Sequence, residues 1–166
     1  NLIIYLAIFC VSKIMLSELL NPKHVIFDLH VNNKKHLFQE LSFKSSLIDK
    51  NIDEKKLFNG IIQREKLGNT YIGNGAAIPS AMLENVYNTF VLFSVLTKPI
   101  DYNSEGNKAV DIICLVVSPK QSTSKHLYFL SNFSRILKHN EITKKIRGCD
   151  NPDSLKAIIM NFHLSS

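Results

Sequence analysis

The sequence predicts an α/β fold: a single domain with a mixed central sheet and helices on both faces. Three observations point there. Residues 88–97 and 109–118 are near-continuous apolar runs, the pattern of strands covered on both sides. Segments with helical periodicity lie before, between and after the strand-like runs, an alternation that builds helices onto a sheet. The 166 residues, 45% hydrophobic and 20% charged, suffice for one hydrophobic core and show no linker that would divide them.

The elements follow in order. Residues 16–20 fit a short helix that stops before Pro22. Residues 24–30 are β-branched and aromatic and read as a strand. Asn32 or Asn33 can cap the next helix, whose apolar face is Leu37, Leu41, Ser45 and Ile48. Asp53 caps another, with Leu57, Ile61 and Ile62 inward and an end near Gly68. Residues 68–79 carry too many glycines and asparagines for a long element, so a loop or two very short strands is expected. Between the two apolar strands, Pro99, Asp101, Asn103, Ser104, Gly106 and Asn107 have loop composition. Ser122 or Thr123 can cap a long helix with Leu127, Leu130, Phe133, Ile136 and Leu137 facing inward. Residues 141–147 and 153–163 read as two final helices, with Pro152 suited to a first turn.

Residues 2–11 form an unbroken apolar stretch, shorter than the roughly 20 residues a spanning helix needs. No basic region precedes it and no small-residue cleavage site follows, as a signal peptide requires. Residues 1–14 are therefore expected outside the domain, as an upstream extension or apolar tail, with the domain over 15–166. An anchor lying on a membrane surface is the alternative.

The net charge of +6 comes from scattered pairs such as Lys34-Lys35, Lys55-Lys56 and Lys144-Lys145. No long basic run or interleaved aromatic series marks a nucleic-acid platform. The three cysteines Cys10, Cys114 and Cys149 are far apart and form no C-x-x-C, so neither a disulfide framework nor a zinc site is indicated. That usage suits a cytoplasmic protein. The six histidines (His24, His30, His36, His126, His139, His163) make no H-x-x-x-H, and no metal or other cofactor is expected. His36 and Glu40, one helical turn apart, fit a solvated pair. Gly73-Asn-Gly75 lacks the third glycine of a dinucleotide loop, and no phosphate-cradling G-x-x-x-x-G-K occurs.

The informative stretch runs from Arg64 to Ser80: Arg-Glu-Lys-Leu-Gly-Asn-Thr-Tyr-Ile-Gly-Asn-Gly-Ala-Ala-Ile-Pro-Ser. It closely resembles the active-site signature of the enzyme IIA domains of the bacterial phosphotransferase system, fructose/mannitol type, and within them the nitrogen-regulatory branch. There the pattern is R-E-x-x-G-S-T-G-I-G-N-G-x-A-I-P-H. A second segment, Ser122-Thr-Ser-Lys-His126-Leu, is similar to the family's T-K-x-H-L. The resemblance covers nearly everything after residue 14.

In that family the histidine ending I-P-H accepts a phosphoryl group from a small histidine phosphocarrier protein. A neutral imidazole is nucleophilic near pH 7 and its phosphorylated form can pass the group on. The resemblance implies a charge-stabilising role for Arg64, an orienting role for His126, and loop-shaping roles for Thr70 and Asn74. It also puts Ser80 at the acceptor position. A serine hydroxyl is a weak nucleophile without an activating base, and its phosphate ester is a poor donor. Tyr71 and Ala81 depart from the glycines common in relatives.

Three functions are therefore expected in competition. The leading one is a regulatory, binding-only protein that contacts the phosphocarrier or regulated targets such as potassium-transport or sensor proteins. The second is an active phosphocarrier using His126, or Ser80 with His126 as its base. The third is a basic module for nucleic acid or a membrane surface. The bland alternatives are a helix-end cation for Arg64, a solvent-facing helix-start residue for His126, a structural turn for Gly73–Gly75 and a plain loop serine for Ser80.

Overall fold

Local capping chemistry sets the first helices. In the computed structural model, which describes residues 2–103, 106 and 108–165, the Asn33 side chain accepts a 2.9 Å hydrogen bond from the His36 amide. The Asp53 carboxylate accepts one of 2.8 Å from the Lys56 amide. Each satisfies an otherwise orphaned N–H and starts a helix. These are α2 (Lys34–Ile48) and α3 (Glu54–Leu67). They follow α1 (Leu2–Leu19), a 3-10 turn (Pro22–His24) and β1 (Val25–Leu29). Then come β2 (Tyr71–Gly73), β3 (Ala76–Ala77), β4 (Ser80–Leu83), β5 (Phe90–Asp101) and β6 (Ala109–Pro119). Three helices close the chain: α4 (Thr123–Leu137), α5 (Asn140–Arg147) and α6 (Pro152–Ser165).

The six strands form one mixed sheet in the order β1-β5-β6-β3-β2, with β4 also paired to β6. β5 and β6 are antiparallel, while β1 lies parallel to β5 and both β3 and β4 lie parallel to β6. Strand alternation divides the core into two layers. Along β6, Ile113, Leu115 and Val117 face α2 and α3. Ile112, Cys114 and Val116 face α4, α5 and α6. Both faces are covered, as the apolar runs predict.

Four particulars differ from the sequence expectations. The first helix is not a short turn over 16–20 but runs from Leu2 to Leu19, passing residue 15 without a break. Leu16 and Leu20 are buried, whereas Leu2, Ile3, Ile4 and Ile14 are exposed. Pro99 lies inside β5, where the register slips between Val95 and Ile100 and no ladder donor is needed. On α4 the buried face is His126, Phe129, Phe133, Ile136 and Leu137, while Leu127 is 59% exposed. Phe133, Ile136 and Leu137 face inward as the periodicity predicts; only at the amino end does the inward position fall on His126 instead of Leu127. Finally, Ser122 holds the N-cap position of α4 without a side-chain capping bond.

Candidate functional site

The signature stretch folds as a strand, a tight turn and two strand pieces laid along β6. The turn needs left-handed backbone, with φ of 52° at Asn74 and 73° at Gly75. The Gly75 carbonyl then accepts from the amides of Asp111 and Ile112, at 3.0 and 3.1 Å. From there the chain runs parallel to β6, with Ala76 opposite Ile112 and Ser80 opposite Val116. Ser80 is 1% exposed. Its neighbour Ala81 packs toward α3, so alternation turns Ser80 to the face that carries α4. Ser118, two residues beyond Val116, lies on that same face.

His126 sits in the first turn of α4, 6% exposed. Its Nδ1 lies 2.8 Å from the Ser118 Oγ, and that oxygen lies 3.4 Å from the Thr89 Oγ1. Burial lowers the His126 pKa, and the charge of Arg64 lowers it further. Both effects favour the neutral imidazole near pH 7. The solvent-facing reading of His126 is therefore wrong for the folded chain. Ser118 and Thr89 were not among the residues singled out from sequence. The available signal is that Ser118 is the one hydroxyl in the apolar run of β6 and that Thr89 immediately precedes β5.

Arg64 occupies the last turn of α3, and its Nη1 donates to the Gly68 carbonyl at 2.9 Å. It thus serves as a helix-end cation, and its positive field also reaches His126. Thr70 belongs to a different cluster. Its amide and hydroxyl donate to the two oxygens of Glu65 at 3.0 and 2.8 Å, and its Oγ1 lies 2.9 Å from the Tyr102 hydroxyl. Lys34 completes the group with a 2.7 Å ion pair to Glu65. Asn74 donates to the Lys138 carbonyl at 2.6 Å, at the far end of α4. Eleven residues of helix separate Leu137 from His126, about 16 Å at 1.5 Å per residue.

The structure therefore brings His126 into the field of Arg64 and turns Ser80 to the same sheet face. Thr70 and Asn74 hold the loop's two flanks instead of meeting His126. Beside Asn74, Arg147 clamps the turn: its Nε and Nη2 bind Asp111 at 2.7 Å each, and its Nη2 also donates to the Asn74 carbonyl at 2.6 Å. Among the described residues, no cluster of three or more His, Cys, Asp or Glu side chains could hold a metal ion. Nor is any described helix long and apolar enough to cross a membrane.

The chain is similar to known proteins in sequence and in fold. Residues 18–162 match the family described as "Phosphoenolpyruvate-dependent sugar phosphotransferase system, EIIA 2". The chain is 33% identical over 144 residues to a nitrogen regulatory protein of Bradyrhizobium diazoefficiens, covering 87% of this chain and 94% of that one. Its fold is similar to that of the crystallised nitrogen regulatory protein IIA-Ntr of Neisseria meningitidis, with a TM-score of 0.80, 25% identity, and coverage of 87% of this chain and 99% of that one. The mannitol enzyme IIA of Escherichia coli, solved in complex with phosphorylated enzyme IIB, shares the fold at a TM-score of 0.71 and 13% identity, over 85% of this chain and 96% of that one. The chain belongs to the EIIA 2 family of the phosphoenolpyruvate-dependent phosphotransferase system, on the branch of the nitrogen regulatory proteins.

Proposed function

We propose that this protein is a regulatory enzyme IIA that acts through protein contacts and carries no phosphate, because Ser80 stands at the acceptor position. The burial of Ser80, at 1% exposure, is the observation that supports this most. A hydroxyl so enclosed is poorly placed to meet an incoming phosphohistidine, and a serine hydroxyl is a weak nucleophile unless a base activates it. The imidazole on its face of the sheet, His126, spends Nδ1 on Ser118. Partners of this function are a small histidine phosphocarrier protein and regulated targets such as potassium-transport or sensor proteins. A cytoplasmic location goes with it.

One test follows the donor. The phosphorylated small carrier, mixed with this protein, should keep its phosphohistidine signal in phosphorus NMR at the rate of the carrier alone. Faster loss of that signal would overturn the proposal. The active alternative, with His126 as acceptor, draws on the neutral imidazole that burial and Arg64 favour. It requires that His126→Ala abolish such a loss.

A further inference from the structure

We propose a second binding site, for a zwitterionic α-amino acid, in the cleft between α1 and α4 beside the His126 hydrogen-bond chain. The cleft holds about 240 Å³ and is lined by Met15, Glu18, Leu19, His24, Asn88, Thr89, Lys125 and Phe129. Its chemistry is mixed in a particular way. Glu18 supplies a negative charge and Lys125 a positive one, on opposite helices. Met15, Leu19 and Phe129 supply an apolar wall.

His24 adds an independent mark. Its ring stacks obliquely on Phe90, with centroids 4.7 Å apart. Its Nδ1 is buried and, among the described residues, has no hydrogen-bond partner. A buried polar atom left unpaired costs stability and calls for an explanation. Desolvation lowers the His24 pKa and favours the neutral ring, whose unpaired Nδ1 accepts a hydrogen bond in the Nε2–H tautomer.

A ligand that satisfies the cleft must therefore donate near His24 and Glu18 and accept near Lys125. An α-ammonium paired with Glu18 and His24, and an α-carboxylate paired with Lys125 and the Asn88 amide, meet both demands. A simple anion would face Glu18 and a simple amine would face Lys125, so neither alone fits. The volume admits a small or medium amino acid whose side chain lies on Phe129 and Leu19. Thr89 lines the cleft and also contacts Ser118, which holds His126. Occupancy would thus be felt at the family site. The inference does not depend on whether Ser80 or His126 accepts phosphate.

The test is titration of the full chain, followed by amide and imidazole NMR, with L-alanine, L-glutamine and L-leucine, against propionate, ethylamine and L-alanine methyl ester. At least one amino acid should shift signals of His24, Thr89 and Lys125 saturably, and the single-charge analogues should bind roughly tenfold more weakly or worse. Lys125→Met and Glu18→Gln should each weaken the binding similarly. Both positions border an open cleft, and retained amide dispersion reports that each variant is folded. Absence of saturable shifts with all three amino acids overturns the proposal. So does equal binding of propionate or ethylamine, or unchanged affinity in both folded variants.

Discussion

The Nδ1 of His126 lies 2.8 Å from the Oγ of Ser118, joining the first turn of α4 to the last residues of β6. The contact crosses the short connection after the central strand, so it fixes the imidazole while anchoring the helix start. Replacing Ser118 with alanine removes the hydroxyl and leaves a buried ring nitrogen unpaired. The expected cost is about 1–3 kcal/mol, the usual penalty for an orphaned buried polar group. Urea unfolding of the folded variant measures it. A change within error of zero would mean that water or another group takes over the nitrogen.

Acidification should weaken the fold earlier than carboxylates alone would cause. The pKa values of His126 and His24 are both held below the ordinary 6.5 by burial. The unfolded chain takes up these protons near 6.5, while the folded chain resists them. Between the two values the unfolded state binds more protons, so stability rises with pH there. The contribution is complete above 6.5 and is lost as pH falls toward the folded values. The denaturation midpoint should begin to drop as pH falls below about 7, before most carboxylates titrate. His126→Gln should flatten that drop. A midpoint that stays constant until the carboxylates titrate would show that the imidazoles are not desolvated as described.

The turn at Asn74 and Gly75 should tolerate no added side chain. A methyl group at Gly75 would meet the Arg147 guanidinium and sit 3.0 Å from the Asp111 Oδ1, on backbone with a φ of +73°. Gly75→Ala is expected to destabilise by about 1–3 kcal/mol through strain and loss of the clamp. Arg147→Ala should cost less, about 1–2 kcal/mol, because the guanidinium side chain is 33% exposed and solvent screens the pair. Gly68 is the control: nothing lies within 4 Å of an added methyl, and Gly68→Ala should be neutral or slightly stabilising. Thermal melts of the three variants check the order.

Much of the fold is legible in the sequence where the signal is local. Asn33, Asp53 and Pro152 start helices where capping rules put them, and the two apolar runs become β5 and β6. β4 is less legible, since Ser80–Leu83 becomes a strand only by pairing with Val116–Pro119, more than thirty residues away. Pro99 reads as a breaker because only the bulge opposite Val110 and Ile112 makes it harmless. The site divides in the same manner. A contiguous motif marks Arg64, Ser80 and the turn. The Ser118–His126 contact and the Glu65–Thr70–Tyr102 cluster arise from tertiary packing, and no spacing rule announces them.

Ser80 at the acceptor position is the point on which the functional proposal turns. The direct measurement is a time course with labelled phosphoenolpyruvate, the general phosphotransferase enzymes and the small histidine carrier. Aliquots are quenched in acid and in alkali, and the label on this chain is quantified. The expected result is no label above background in either quench, while an active enzyme IIA in parallel is labelled fully. Alkali-stable, acid-labile label on a histidine of this chain would contradict it and mark the protein as a working phosphocarrier.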